Sequence, residues 1–210
     1  MNAIAKNSNY PSTAENSAIT IPQGFCVTPE QFEQLAQAEQ LARLELTETG
    51  ELIVMSPTGG TAGRKNSRLI QRLRNWADVD GTGEVFDSST VFVLPGGARR
   101  SPDASWIRLE RWNQLTQQQQ DGFPPIAPDF VIELVSPREL KNQRYEDLQA
   151  KMQEYIANGV RLGWLIEPSA KTVEIYRPQR SVEKLNNPQA ISGEDVLSGF
   201  SLDLTDIFAD

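Results

Sequence analysis

The sequence predicts one α/β (α+β) domain in which helices flank a short mixed sheet. Three observations carry this. The run Phe130–Val135 is apolar enough for a strand buried on both faces. Residues 84–107 are rich in β-branched and aromatic residues on either side of a Pro95-Gly96-Gly97 turn. Apolar residues recur at helical spacing near 29–41, 62–76 and before Ala157. With 210 residues and 23.4 kDa the chain can bury a core without disulfide or metal staples, and its length favours a single domain.

The elements follow in order. Residues 1–24 are rich in Asn, Ser, Ala and Thr without periodicity and are expected to be a flexible tail; the domain is expected over 25–207. Thr28-Pro29 starts a helix, with Thr28 as N-cap and proline at the first helical position, running over 29–41. Leu44, Leu46, Leu52 and Val54 alternate with other residues around Thr49-Gly50, a hairpin. A helix over about 62–76 presents Leu69, Ile70, Leu73 and Trp76. Residues 84–94 and 101–107 form the arms of a second hairpin. Residues 108–115 make a short helix and 117–120 a polar loop. The strand at 130–135 precedes a helix that starts at Glu139 or Tyr145 and ends at Asn158-Gly159. Strands at 162–166 and 172–176 flank a Pro168-Ser169-Ala170 turn, and 178–210 reads as irregular.

Composition excludes several chemistries. There is no histidine, hence no Ser-His-Asp triad, Cys-His dyad or histidine-bound metal. The lone Cys26 excludes an intrachain disulfide and multi-cysteine metal sites, and a reducing cytoplasm is the expected compartment. No apolar signal region follows Met1, and no apolar stretch approaches the length of a membrane span. Carboxylate, lysine, tyrosine and hydroxyl chemistry are left, with an oxygen-preferring metal such as Mg²⁺.

The net charge of −8 is uneven. Residues 1–51 carry seven acids and two bases, 181–210 six acids and one base, and the middle 15 acids against 17 bases. An acidic pI near 4.7 speaks against strong nonspecific nucleic-acid binding; the middle leaves a polyanion substrate open, beside ordinary solvated charge. Arg64, Arg68 and Arg72 share one helix face, with Lys65 and Arg74 nearby. The preceding glycines do not fit G-x-x-x-x-G-K-[ST], so a nucleotide loop is rejected, although an anion near this helix start is compatible with the residues.

Three features carry chemistry. Pro102-Asp103 precedes a strand, Glu133 interrupts an apolar strand, and Lys151 lies four residues before Tyr155 on one helix face. A carboxylate among Val, Ile and Leu is costly to bury unless paired or metal-bound. Alternatives are an edge strand with Glu133 facing water and a purely structural ion pair. Pro-Asp is also a common turn dipeptide, a helical lysine is usually solvated, and core packing is the alternative role of Tyr155. Together, two carboxylates on neighbouring strands and a lysine suit metal-assisted phosphodiester cleavage, which needs no histidine.

Four segments in this order resemble one family. Arg100-Ser101-Pro102-Asp103-Ala104-Ser105-Trp106-Ile107, the run from Pro128 to Pro137, Lys151-Met152-Gln153-Glu154-Tyr155 and the run from Gly159 to Pro168 are similar to the Uma-type family of putative restriction endonucleases, common in cyanobacteria. The resemblance spans about residues 25–207. It implies a PD-(D/E)xK nuclease fold, a restriction-endonuclease-like mixed sheet flanked by helices. By position, Asp103 is the PD aspartate and Glu133 the acid of the (D/E)xK motif. The lysine position of that motif holds Val135, a departure, and Lys151 on the following helix is the candidate replacement. The backbone carbonyls of Leu134 and Val135 are candidate metal ligands with Asp103 and Glu133, for Mg²⁺ or Mn²⁺. Where the superfamily often has an acid on its first core helix this chain has Arg68; Asp87 is a candidate substitute. DNA is the implied partner, with Arg64, Lys65, Arg68 and Arg72 on phosphates, and Tyr155 positioning Lys151 or reaching a phosphate. A homodimer is left open, since nuclease folds of this size often pair to cut two strands. Two readings follow: a Mg²⁺-dependent DNA endonuclease, or a nuclease-fold module that no longer cuts and binds nucleic acid or a protein. Val135 and the acidic pI speak for the second. A third, an unrelated protein-interaction domain, has only the tails in its favour.

Overall fold

The computed structural model describes residues 21–22, 24–38, 43–55, 57–141 and 144–209. Of the tail expected over 1–24, only Ile21, Pro22 and Gly24 are described, and 39–41 of the expected first helix also lie outside. Helix α1 (Pro29–Ala38) starts at Thr28, whose hydroxyl accepts from the Gln31 N–H while the Gln31 side chain accepts from the Thr28 N–H. Strands β1 (Arg43–Leu46) and β2 (Leu52–Met55) form the expected hairpin, and Phe32, Leu44, Leu46 and Leu52 bury together as a small core.

Helix α2 (Gly60–Asp80) is longer than expected at both ends. Its C-terminus is set by Gly81, whose φ of 71° lets its N–H reach back to the Ala77 carbonyl. Beyond it, the second hairpin differs from the expected simple ribbon. β3 (Gly83–Asp87) pairs with β6 (Ala104–Arg108) in one sheet, while β4 (Phe92–Val93) pairs with β5 (Arg99–Arg100) in another. Between these ladders four residues, 88–91, oppose three, 101–103. Pro102 has no N–H to give a ladder, so the ribbon breaks and bends there.

After α3 (Leu109–Trp112), the expected polar loop is helix α4 (Gln117–Asp121). The overlooked signal is a capping box: the Thr116 hydroxyl accepts from the Gln119 N–H, and the Gln119 side chain accepts from the Thr116 N–H. Strand β7 (Phe130–Leu134) leads through α5 (Pro137–Lys141) and α6 (Tyr145–Ala157) to β8 (Leu162–Glu167). β7 and β8 are parallel; every other pair in the six-stranded sheet is antiparallel. The sheet continues with β9 (Thr172–Tyr176) and β10 (Glu183–Asn186), in the order β10-β9-β8-β7-β6-β3. The region expected to be irregular thus holds β10, the pair β11 (Ala190–Ser192) and β12 (Ser201–Asp203), and α7 (Thr205–Phe208). β10 escaped the pattern because it is an edge strand of mostly exposed polar residues.

Two cores sandwich the large sheet. Leu69, Leu73 and Ala77 of α2 join Trp106, Phe130, Ile132, Trp164 and the C-terminal Phe200, Leu202 and Ile207. On the other face, Leu148, Met152 and Tyr155 of α6 join Ile107, Val131, Val135 and Leu165. β4 and β5 complete a four-stranded sheet ordered β2-β1-β5-β4, so the bent ribbon belongs to both sheets.

Candidate active site

The two-residue period of β7 decides where Glu133 points. Phe130, Ile132 and Leu134 enter the α2 core, so Glu133 shares the opposite face with Val131 and Val135, under α6. It is 3% exposed on an inner strand between β6 and β8, which excludes the water-facing edge reading. Lys151 and Tyr155, one turn apart on α6, both descend on it. Lys151 Nζ lies 2.7 Å from Glu133 Oε1, and the Tyr155 hydroxyl donates to the same oxygen at 3.0 Å. The ammonium also sits 5.7 Å from the Tyr155 ring centroid.

Asp103 lies in the break of the bent ribbon. Freed from the ladder, its Oδ2 accepts the Leu134 N–H at 2.8 Å, which ties the break to the residue after Glu133. Asp103, Glu133, Leu134 and Lys151 line one open cleft, walled on its other side by α1, the β1–β2 hairpin and the start of α2. The chain engages Asp103 through Oδ2 and Glu133 through Oε1.

The cleft contains an acid that sequence reasoning missed. Glu45 of β1 is 2% exposed, and its Oε1 accepts from Lys151 Nζ at 2.8 Å and from the Ser101 N–H at 2.9 Å. Its Oε2 accepts from Arg100 Nη1 at 3.1 Å, and Arg100 Nε donates to Glu154 of α6. Glu45 stands between two leucines in a short hairpin, where alternation reads a charged residue as solvent-facing. Its burial depends on α6 packing over it, a contact across 106 positions.

Charge is unequally shared in this cluster. Burial raises the carboxyl of Glu45, but Lys151 and Arg100 outweigh it and hold the group below its ordinary range. Burial pushes Glu133 up to about 8: Lys151 pulls it down, while Asp103 and Glu45 repel its charge. Burial likewise raises Asp103, against the pull of the Leu134 N–H and Lys151. Lys151 resists burial because Glu133 and Glu45 hold its proton, so its pKa is raised and it remains an ammonium. Among the described residues no three acidic side chains gather as a metal-ligand set. The arrangement is a pair, Asp103 and Glu133, beside an ammonium held by a third acid.

This pairing of a ribbon-break aspartate, a strand glutamate and a helical lysine can be set against known proteins. The sequence model of the Uma2 family, described as putative restriction endonuclease, matches residues 29–205. The chain belongs to this family. Among curated proteins none matches it. The fold is shared with the crystal structure of a putative nuclease belonging to DUF820 from Anabaena variabilis ATCC 29413, with a TM-score of 0.65 and 23% identity over 79% of this chain and 89% of that one. The mixed sheet flanked by helices is therefore a fold common to both proteins.

In this Uma2 chain the remaining candidate residues are scattered. Arg64 is exposed near the start of α2, and Lys65 is buried. Arg68 Nη1 donates to the Asp206 carbonyl, and Arg72 Nη2 pairs with Asp206 Oδ2 at 2.9 Å. Arg72 also donates to the Asp203 carbonyl, so both arginines brace the C-terminal segment. Asp87 is exposed at the end of β3, where its Oδ1 accepts from the Ser89 N–H and hydroxyl; it is not among the cleft residues. Val135 packs in the α6-side core. No helix among the described residues is long and apolar enough to cross a membrane.

Proposed function

We propose that this Uma2 protein is a Mg²⁺-dependent endonuclease, with Mn²⁺ as substitute, that hydrolyses phosphodiester bonds in DNA. The observation that carries the reading is the 2.7 Å contact of Lys151 with Glu133 in a cleft shared with Asp103. It supports the view that α6 supplies the lysine absent from position 135.

The residues present fit a hard divalent cation. The chain engages Asp103 through Oδ2 and Glu133 through Oε1, the charge of Asp103 repels that of Glu133, and burial disfavours both charges. A cation relieves that repulsion, and Mg²⁺ needs only one or two carboxylates because it keeps several waters. The carbonyls of Leu134 and Val135 are proposed as further ligands. When bound, the ion supplies Lewis acidity to a phosphate oxygen and acidity to a water. The chain's own part is positional. Lys151, held as an ammonium, orients the attacking water and offsets charge building on the phosphate. Tyr155 fixes the rotamer of Glu133. Arg64, exposed on α2 though not among the cleft-lining residues, is the proposed phosphate contact, with Lys65, Arg68 and Arg72 retained as weaker candidates. We include in the proposal a cytoplasmic homodimer, two copies serving the two strands of a duplex.

One observation favours a second reading, a binding module that does not cut. The cleft is lined by eight acidic and four basic side chains, an excess that repels a polyanion without added cations. Plasmid nicking in Mg²⁺ or Mn²⁺ separates the two. Metal-dependent nicking that falls to a small residual rate in Asp103→Ala, Glu133→Ala and Lys151→Ala supports the endonuclease; nicking that survives all three undiminished removes it. Metal binding without nicking, abolished by Glu133→Ala, supports the module.

A further inference from the structure

We propose that Glu45 is a positioning residue for Lys151 and not a third metal ligand; this role rests on the endonuclease reading. The argument is occupancy. Glu45 Oε1 accepts from Lys151 Nζ and the Ser101 N–H, and Oε2 accepts from Arg100. With Oε1 held by two donors and Oε2 held by the Arg100 guanidinium, an ion at this buried carboxylate would have to compete with a fixed cation and disturb charge-assisted bonds. Asp103 and Glu133 differ: of the contacts described above, those of Asp103 are made through Oδ2 and those of Glu133 through Oε1.

Lysine carries its charge on a flexible four-carbon stem, so its head needs anchors. Glu133, on the large sheet, is one. It is also the carboxylate whose charge an ion would share, which weakens its hold on the ammonium. Glu45, on the small sheet, has no such competing task and keeps Lys151 Nζ in place. Arg100 stops Glu45 from swinging away, and Glu154, three residues beyond Lys151 on α6, anchors Arg100 in turn. Four side chains thus close a loop from β1 through β5 to α6 that has Lys151 as its working end.

The test measures plasmid nicking kinetics and Mn²⁺ binding by calorimetry on the full chain. For E45Q we expect kcat to fall about 10- to 100-fold, the scale of a displaced catalytic group. KM for plasmid and the Mn²⁺ dissociation constant should stay within about threefold, whereas D103N and E133Q weaken Mn²⁺ at least about tenfold. E45D should recover part of the rate. If Glu45 acts through Lys151, E45Q adds no loss to K151M. That double variant also removes both charges of the pair, so it answers the question should E45Q alone fail to fold. The role is overturned if E45Q weakens Mn²⁺ as D103N does, if it keeps the wild-type kcat, or if it lowers the residual rate of K151M. A wild-type chain that does not nick overturns the endonuclease reading and this role together; the three outcomes above, with an active wild type, overturn the role alone.

Discussion

Lys151 and Glu45 are 106 positions apart in the chain and 2.8 Å apart in the fold. The contact joins α6 to β1, so the small sheet contributes an acid to the same cluster as the large one. Arg100 completes that junction, with Glu45 on one side and Glu154 on the other.

Removing Arg100 should therefore be costly. Arg100→Met leaves Glu45 short of a partner in a buried site, and we expect a loss of about 3–5 kcal/mol in urea unfolding. Asp78→Asn, which breaks the exposed Arg74–Asp78 pair, should change stability by less than about 1 kcal/mol. Similar losses for the two variants would show that the buried network carries no special weight.

Tyr155→Phe removes one hydroxyl donor from Glu133 and little else. A hydrogen bond stabilises by about 0.5–1.5 kcal/mol when its acceptor is neutral and about 1.5–3 kcal/mol when it is charged, so the loss should be larger above about pH 8, where Glu133 is ionised, than below it. Nicking should fall less than in Glu133→Gln, because Lys151 still holds the carboxylate.

The pH dependence follows from Glu133. Its carboxyl is raised from 4.5 to about 8 in the folded chain, so between these values the folded state binds more protons than the unfolded one. Stability from this group therefore falls as pH rises through that window. Metal-free protein should lose urea resistance from pH 5 to 8, Glu133→Gln should show a flatter profile, and saturating Mg²⁺ should flatten the wild type. Glu45 acts oppositely: its lowered pKa stabilises above about pH 4.5 and that contribution fades in acid. Identical profiles for wild type and Glu133→Gln would contradict the assignment.

Gly83 provides a control at the α2-side core, across the large sheet from Glu133. A Cβ there would lie 2.2–2.4 Å from the indole of Trp106, a rigid buried ring. Gly83→Ala should cost about 1–3 kcal/mol by overpacking, seen as a lower unfolding midpoint.

On α2, Arg64 and Arg72 should separate. Arg64→Ala should weaken DNA binding uniformly across sequences and reduce the salt slope by about one. Arg72→Ala should mainly loosen the C-terminal segment, with a stability change of about 1 kcal/mol or less, since its partner Asp206 is half exposed. Equal effects of both on the salt slope would show that Arg72 also reaches phosphate.

What the sequence revealed follows from range. Thr28, Asn158-Gly159 and the apolar run of β7 act locally, and the ends or strand they define appear where expected, whereas the Gly81 stop of α2 went unread. The lysine and tyrosine one helical turn apart, and an acid within an apolar strand, are visible without a fold. Glu45 was not, because a polar residue between two leucines looks the same whether water or a helix covers it. The division of the 84–107 ribbon between two sheets was equally hidden: Pro102 marks a break, yet only the partner strands show that each half pairs elsewhere. Arg68 and Arg72 looked like a free basic face because Asp206 lies 134 residues beyond Arg72.

The ribbon's double membership has a practical consequence for trimming the molecule. A shortened chain that began at α2 would retain every motif residue by which such nucleases are recognised. It would also strip the first two strands from β5 and leave the ammonium of Lys151 with one counter-charge in place of two. Motif-complete fragments of this kind should be judged by whether they keep the hairpin ahead of the long helix.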